Sequence, residues 1–268
     1  MRRSPARLAS PGLSREEPAK PHAHARAGSA GDPVVREVRA LQSTAGNAAV
    51  ASVVGDLRRG GTIPTGVQRQ PKGAKAVPPW IKDAKASLGK MFPKDKAMAN
   101  VVIRDYADLN KTLQGIDFAA WTNSGTVIYL RDPSGLADPA NPNTANWPAM
   151  FTSAVLHHEA AHVRQFARDG GPPKTWQQML IYERDAYGED VAWLGGTEAQ
   201  TLIPDKGLRD QVVEQSAANL KLVTRLLAGT EKLTGKAREK ELHRLMVAET
   251  LIPASATMNP LDLYKQPK

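Results

Sequence analysis

Leu156-His157-His158-Glu159-Ala160-Ala161-His162 decides how this chain is read, because it holds HExxH within a helical pattern. Helical spacing puts His158 and His162 one turn apart on one face, so both imidazoles can reach a single metal ion. Glu159 lies between them, where its carboxylate can meet a water held by that ion. Phe151, Ala154, Val155, Leu156 and Val163 supply a buried face, and no Pro or Gly interrupts residues 151–169. Gly170-Gly171-Pro172-Pro173 then stops the helix. Without a metal, the same face would bury three polar groups at considerable cost. His157 is rotated off the ligand face and reads as a surface residue or as a support for the site from behind.

A catalytic zinc usually takes three protein ligands and leaves one position for water. The chain has no cysteine, which excludes thiolate ligands, disulfides and a cysteine nucleophile. The only histidine after the motif is His243, far along the chain in a charged helical pattern. It reads as solvent-exposed more readily than as a hydrogen-bond donor to the site. The next pattern, residues 174–194, places Trp176, Met179, Leu180, Ala186, Tyr187, Val191 and Leu194 on an apolar stripe at helical spacing. Glu183 falls on that stripe, where a lone carboxylate is expensive to bury and metal coordination removes the difficulty. Glu183 is therefore the expected third metal ligand beside His158 and His162, with Asp185, Glu189 and Asp190 as alternatives. Asp190, two turns further on, can accept the free ring N–H of a ligand histidine. Tyr187, one turn beyond Glu183, can donate to the oxyanion of a tetrahedral intermediate. Catalytic roles thus fall to Glu159 and Tyr187.

This constellation looks like that of the gluzincin-type metallopeptidases, with HExxH on one helix and a glutamate on the next. Upstream lie Val101-Val102-Ile103-Arg104, Asp117-Phe118-Ala119-Ala120-Trp121-Thr122 and Gly125-Thr126-Val127-Ile128-Tyr129-Leu130, and Gln165 extends the motif to HExxHxxQ. This order resembles the metallopeptidase domain of proteins associated with extracellular contractile injection systems, the phage-tail-like delivery machines of bacteria. Leu41-Gln42-Ser43-Thr44-Ala45-Gly46-Asn47-Ala48-Ala49-Val50 is similar to the LQ-x-x-AGNAAV segment near the N-terminus of that group. The similarity spans about residues 41–50 and 100–190. The chain departs from the group in carrying HHEAAH rather than HELAH and in its long loop before the motif.

The resemblance implies a zincin-like α+β fold. A small antiparallel or mixed sheet precedes the HExxH helix and the glutamate helix, and further helices follow. It also implies a Zn²⁺-dependent metalloendopeptidase acting on a protein or peptide substrate. Such a chain would be an effector or toxin, made in the bacterial cytoplasm without a Sec-type signal. It would be loaded into an injection particle through its N-terminal region and delivered to a target cell. The alternative is a non-catalytic structural or processing component of the particle that keeps a zinc site.

Composition bounds the rest. At 268 residues the chain can hold one sizeable domain plus tails, and no apolar run is long enough to span a membrane. The net charge of +9 belongs to the leader: residues 1–78 carry 13 Lys/Arg against 5 Asp/Glu, the remaining 190 carry 23 against 22. The near-neutral body gives no reason to invoke nucleic acid. Residues 1–78 read as a basic, disordered leader with a short helical segment at 34–59, a candidate docking signal. Residues 79–200 read as the catalytic core. It opens with a helix at 79–88, then a strand at 100–104, a helix at 106–114 and strands at 117–122 and 125–131. Asn123-Ser124-Gly125 forms the turn, and 127–130 reads as a sheet edge for peptide pairing. A long loop at 132–148 follows. Residues 201–268 read as a helical subdomain, with helices near 205–227 and 231–249 and a flexible tail from 253.

Overall fold

The structure is a computed structural model that describes residues 77–109, 113 and 118–265. The expectations for the leader, including the 34–59 helix and the docking segment at 41–50, lie outside the described residues. So do residues 110–112 and 114 of the helix expected at 106–114; its start is corrected, because Tyr106–Asp108 forms a 3-10 turn and Leu109 is extended.

The described chain is α+β and mostly helical, with one three-stranded mixed sheet. Its strands are β1 (Val102–Asp105), β2 (Ala120–Thr122) and β3 (Val127–Leu130). The order is β1-β3-β2, with β3 parallel to β1 and antiparallel to β2. The expectation that 127–130 forms a sheet edge is therefore corrected. β3 is central, its backbone groups are taken by neighbours on both sides, and β1 and β2 are the edge strands instead.

Strand alternation splits the sheet between two cores. Ile103, Ala120, Ile128 and Leu130 face one way, towards helices α1 (Pro79–Met91) and α3 (Trp147–Asp169), where they meet Leu88, Leu156, Ala160 and Val163. Trp121 and Tyr129 face the other way, into a core shared by α4 (Trp176–Leu194), α6 (Lys206–Gly229) and α7 (Gly235–Ala248). The short helices α2 (Lys96–Ala99) and α5 (Thr197–Leu202) are accompanied by 3-10 turns at Pro133–Leu136, Pro142–Thr144 and Pro260–Tyr264. Thr122 is paired with Ile128 and so shares the α3 face of the sheet.

The motif helix α3 starts earlier than residue 151. Pro148 occupies its first turn, where a missing N–H costs nothing. The Trp147 indole N–H donates to Asp205 Oδ2 at 3.1 Å. Asp205 Oδ1 meanwhile accepts from the Leu208 N–H at 2.9 Å, so one carboxylate caps α6 and anchors the start of α3. At the other end Gly170 adopts a left-handed φ of 74°, as the Gly-Pro cluster predicts. Thr175 caps α4 by accepting from the Gln178 N–H at 3.0 Å. Glu239 of α7 accepts from the Trp176 N–H at 2.6 Å, a carboxylate at the positive end of the helix.

The expected flexible tail packs instead. Leu263 belongs to the α4–α6–α7 core, and the Trp176 indole N–H donates to the Met258 carbonyl at 3.2 Å. His243 is half-buried rather than exposed: its Nε2–H donates to the Ala256 carbonyl at 2.9 Å, and its ring lies 5.2 Å from that of Trp176. It holds the tail rather than the metal site.

The β2–β3 turn needs glycine for two reasons. Gly125 has φ 73°, and a Cβ there would lie 3.1 Å from Phe166 Cβ of α3. Gly125→Ala is expected to lower unfolding stability by about 1–2 kcal/mol, measured by urea denaturation. An unchanged midpoint would mean that the turn does not hold this conformation.

Candidate metal centre

The i,i+4 spacing on α3 brings the two Nε2 atoms of His158 and His162 to 3.1 Å from each other. Glu183 reaches across from α4, placing Oε2 3.4 Å from His158 Nε2 and Oε1 3.4 Å from His162 Nε2. One ligand atom from each residue lies within 4.8 Å of the others, and the three form a group able to hold a metal ion. Both histidines are buried, at 7% and 8% exposure, and Glu183 is half-buried.

The other ring nitrogens fix the orientation. His158 Nδ1 lies 2.8 Å from Asp190 Oδ2, and His162 Nδ1 lies 2.8 Å from Gln165 Oε1. The Gln165 amide cannot be reversed, because its Nε2 donates to the Tyr182 carbonyl at 3.0 Å. Both oxygens only accept, so each Nδ1 carries the proton and each Nε2 turns its other valence inward. Two imidazole nitrogens and a carboxylate then converge on one point. Only a proton or a metal cation can relieve their mutual repulsion.

Electrostatics in the metal-free protein agree. Burial pushes the His158 pKa down, but Asp190 and then Glu183 outweigh it and raise it well above the ordinary value. For His162 burial again lowers the pKa, and the Glu183 carboxylate more than compensates. Burial raises the Glu183 pKa, yet His162 and His158 hold it well below the usual carboxylate range. The site is thus built to hold positive charge between its side chains.

Asp190 accepts from two histidines. Its Oδ1 lies 2.8 Å from His157 Nδ1, and His157 stacks on Trp193 with ring centroids 4.2 Å apart. His157 is buried at 6% exposure, so the surface reading of it is corrected and the supporting one holds. The alternatives to Glu183 lie elsewhere: Asp185 pairs with Arg184, Glu189 with Arg164, and Asp190 stands behind His158.

Glu159 is buried, with Oε2 accepting from the Thr122 hydroxyl at 2.6 Å. Tyr187 packs its ring 4.5 Å from that of His158. Burial first, then the carboxylates of Glu183, Asp190 and Glu159, push its phenol well above the ordinary pKa, so it stays protonated. The surrounding pocket is also lined by Trp121, Phe166 and Tyr264. Thr122 and Tyr264 were not identified from the sequence. Alternation puts Thr122 on the side of Ala120, but no residue pattern says that this face meets α3. No family model, curated protein or solved structure matches this chain.

Because Asp190 orients His158 without belonging to the three-residue group, Asp190→Asn should weaken metal binding about 10–100-fold. Competition against a colorimetric chelator measures this. Wild-type affinity in the variant would show that the carboxylate orients nothing.

Proposed function

We propose that the chain is a zinc-dependent metallopeptidase with a zincin-like core. The observation that carries this reading is the convergence of His158 Nε2, His162 Nε2 and a Glu183 carboxylate, with Glu159 buried beside them. The two Nε2 atoms lie 3.1 Å apart and each has its own Glu183 oxygen at 3.4 Å, close enough for the three side chains to share one ion. Nitrogen and carboxylate donors without sulfur also suit zinc in a catalytic setting.

Zinc held there would supply Lewis acidity, acidifying a water and polarising a peptide carbonyl. The chain's own groups account for the rest. Glu159 is anchored through Oε2 by Thr122, which leaves Oε1 to accept the proton of the attacking water and pass it to the leaving amine. Tyr187, kept neutral, is a hydrogen-bond donor for the negative charge that develops on the carbonyl oxygen. The edge of β2 offers backbone groups to an extended peptide next to Thr122.

Residue order and the AGNAAV-like segment support a role as an effector loaded into a bacterial contractile injection particle. Deletion of residues 1–75 should then abolish co-purification with the particle and leave peptidase activity intact. Unchanged co-purification would remove the loading role.

Glu159→Gln keeps the shape of the side chain and loses the base. It should retain bound zinc and lose at least about a hundredfold in peptide hydrolysis, read by mass spectrometry of a peptide library. Wild-type turnover in this variant would exclude the mechanism.

A further inference from the structure

A second cavity, of about 100 Å³, opens beside the metal centre on the side facing α6. It adjoins the first: Ala120, His158, Glu159 and Tyr187 line both. Its walls are contributed by Phe151, Ala154 and Val155 of α3 and by Leu208 and Val212 of α6. An apolar cavity of about 150 Å³ holds a benzene ring, so this one has the size of a branched aliphatic side chain.

Several of the polar groups at its base already have partners. Asp190 is held by His157 and His158, Glu159 by Thr122, and the Gln215 amide donates to Asn219 at 3.0 Å. A charged side chain entering between these apolar walls would lose most of its hydration. A hydrocarbon side chain would only displace water from apolar walls.

We propose that this cavity receives the uncharged aliphatic side chain of a residue flanking the scissile bond. The enzyme is then selective for sites next to Leu- or Met-like residues. This rests on the peptidase reading above and adds the substrate class. Val212 and Phe151 line this cavity and not the first.

The test uses the full-length, zinc-loaded protein and two opposed variants. Val212→Phe fills the space, and Phe151→Ala enlarges it. Calorimetric titration with the hydroxamates of N-acetyl-alanine, N-acetyl-leucine and N-acetyl-phenylalanine reads side-chain preference apart from turnover. Mass-spectrometric mapping of cleavage sites in a denatured protein mixture reads it during catalysis. Wild type should bind the leucine compound about tenfold more tightly than the alanine one. Val212→Phe should erase that ratio, and Phe151→Ala should improve binding of the phenylalanine compound. Cleavage maps should shift in the same directions. Equal ratios in all three proteins, with zinc and hydrolysis intact, would overturn the pocket assignment alone. No hydroxamate binding and no cleavage by zinc-loaded wild type would overturn it together with the peptidase reading.

Discussion

Two imidazole nitrogens and one carboxylate aimed at a single buried point repel one another unless a cation lies between them. Much of the described structure serves to hold that arrangement. Each Nδ1 is fixed by an acceptor, Asp190 for His158 and Gln165 for His162. Gln165 is itself fixed by a carbonyl of α4. Asp190 is steadied by His157, which stacks on Trp193. An interior of this kind would be unfavourable as mere packing, because its polar groups are buried for no structural return.

The sheet serves the site through its pleat. Two-residue periodicity sends Ile128 and Leu130 into the core beneath α3 and brings Thr122 to Glu159. A register shift of one residue would turn Trp121 towards α3 and remove the hydroxyl from the carboxylate. Gly125 permits the tight turn and the close approach of Phe166 together. The turn, the strand pairing and the placement of the Glu159 carboxylate are therefore one mechanical unit.

Local spacing made the candidate metal centre legible. HExxH defines a helical face, and Glu183 stands out as a charge on an apolar stripe, so all three ligand candidates were readable. Asp190 followed from the same helix period. Residues brought in by tertiary contact were not readable: Thr122, Trp193 and Tyr264 sit far along the chain from what they touch, and nothing local marks them. The central position of β3 was missed for a related reason. A run such as Val127-Ile128-Tyr129-Leu130 has the same composition at an edge as in the middle of a sheet, and only pairing with β1 decides. The C-terminal stretch lacks helical periodicity and read as flexible, yet Pro260 and Leu263 bury themselves and Trp176 bonds across to Met258.

The most direct test is elemental analysis of the purified protein together with His158→Ala, His162→Ala and Glu183→Ala. One zinc per chain in the wild type, lost or greatly weakened in all three variants, is the expected result. No metal in the wild type after zinc loading, or full retention by any of the three, would contradict a centre held by these residues.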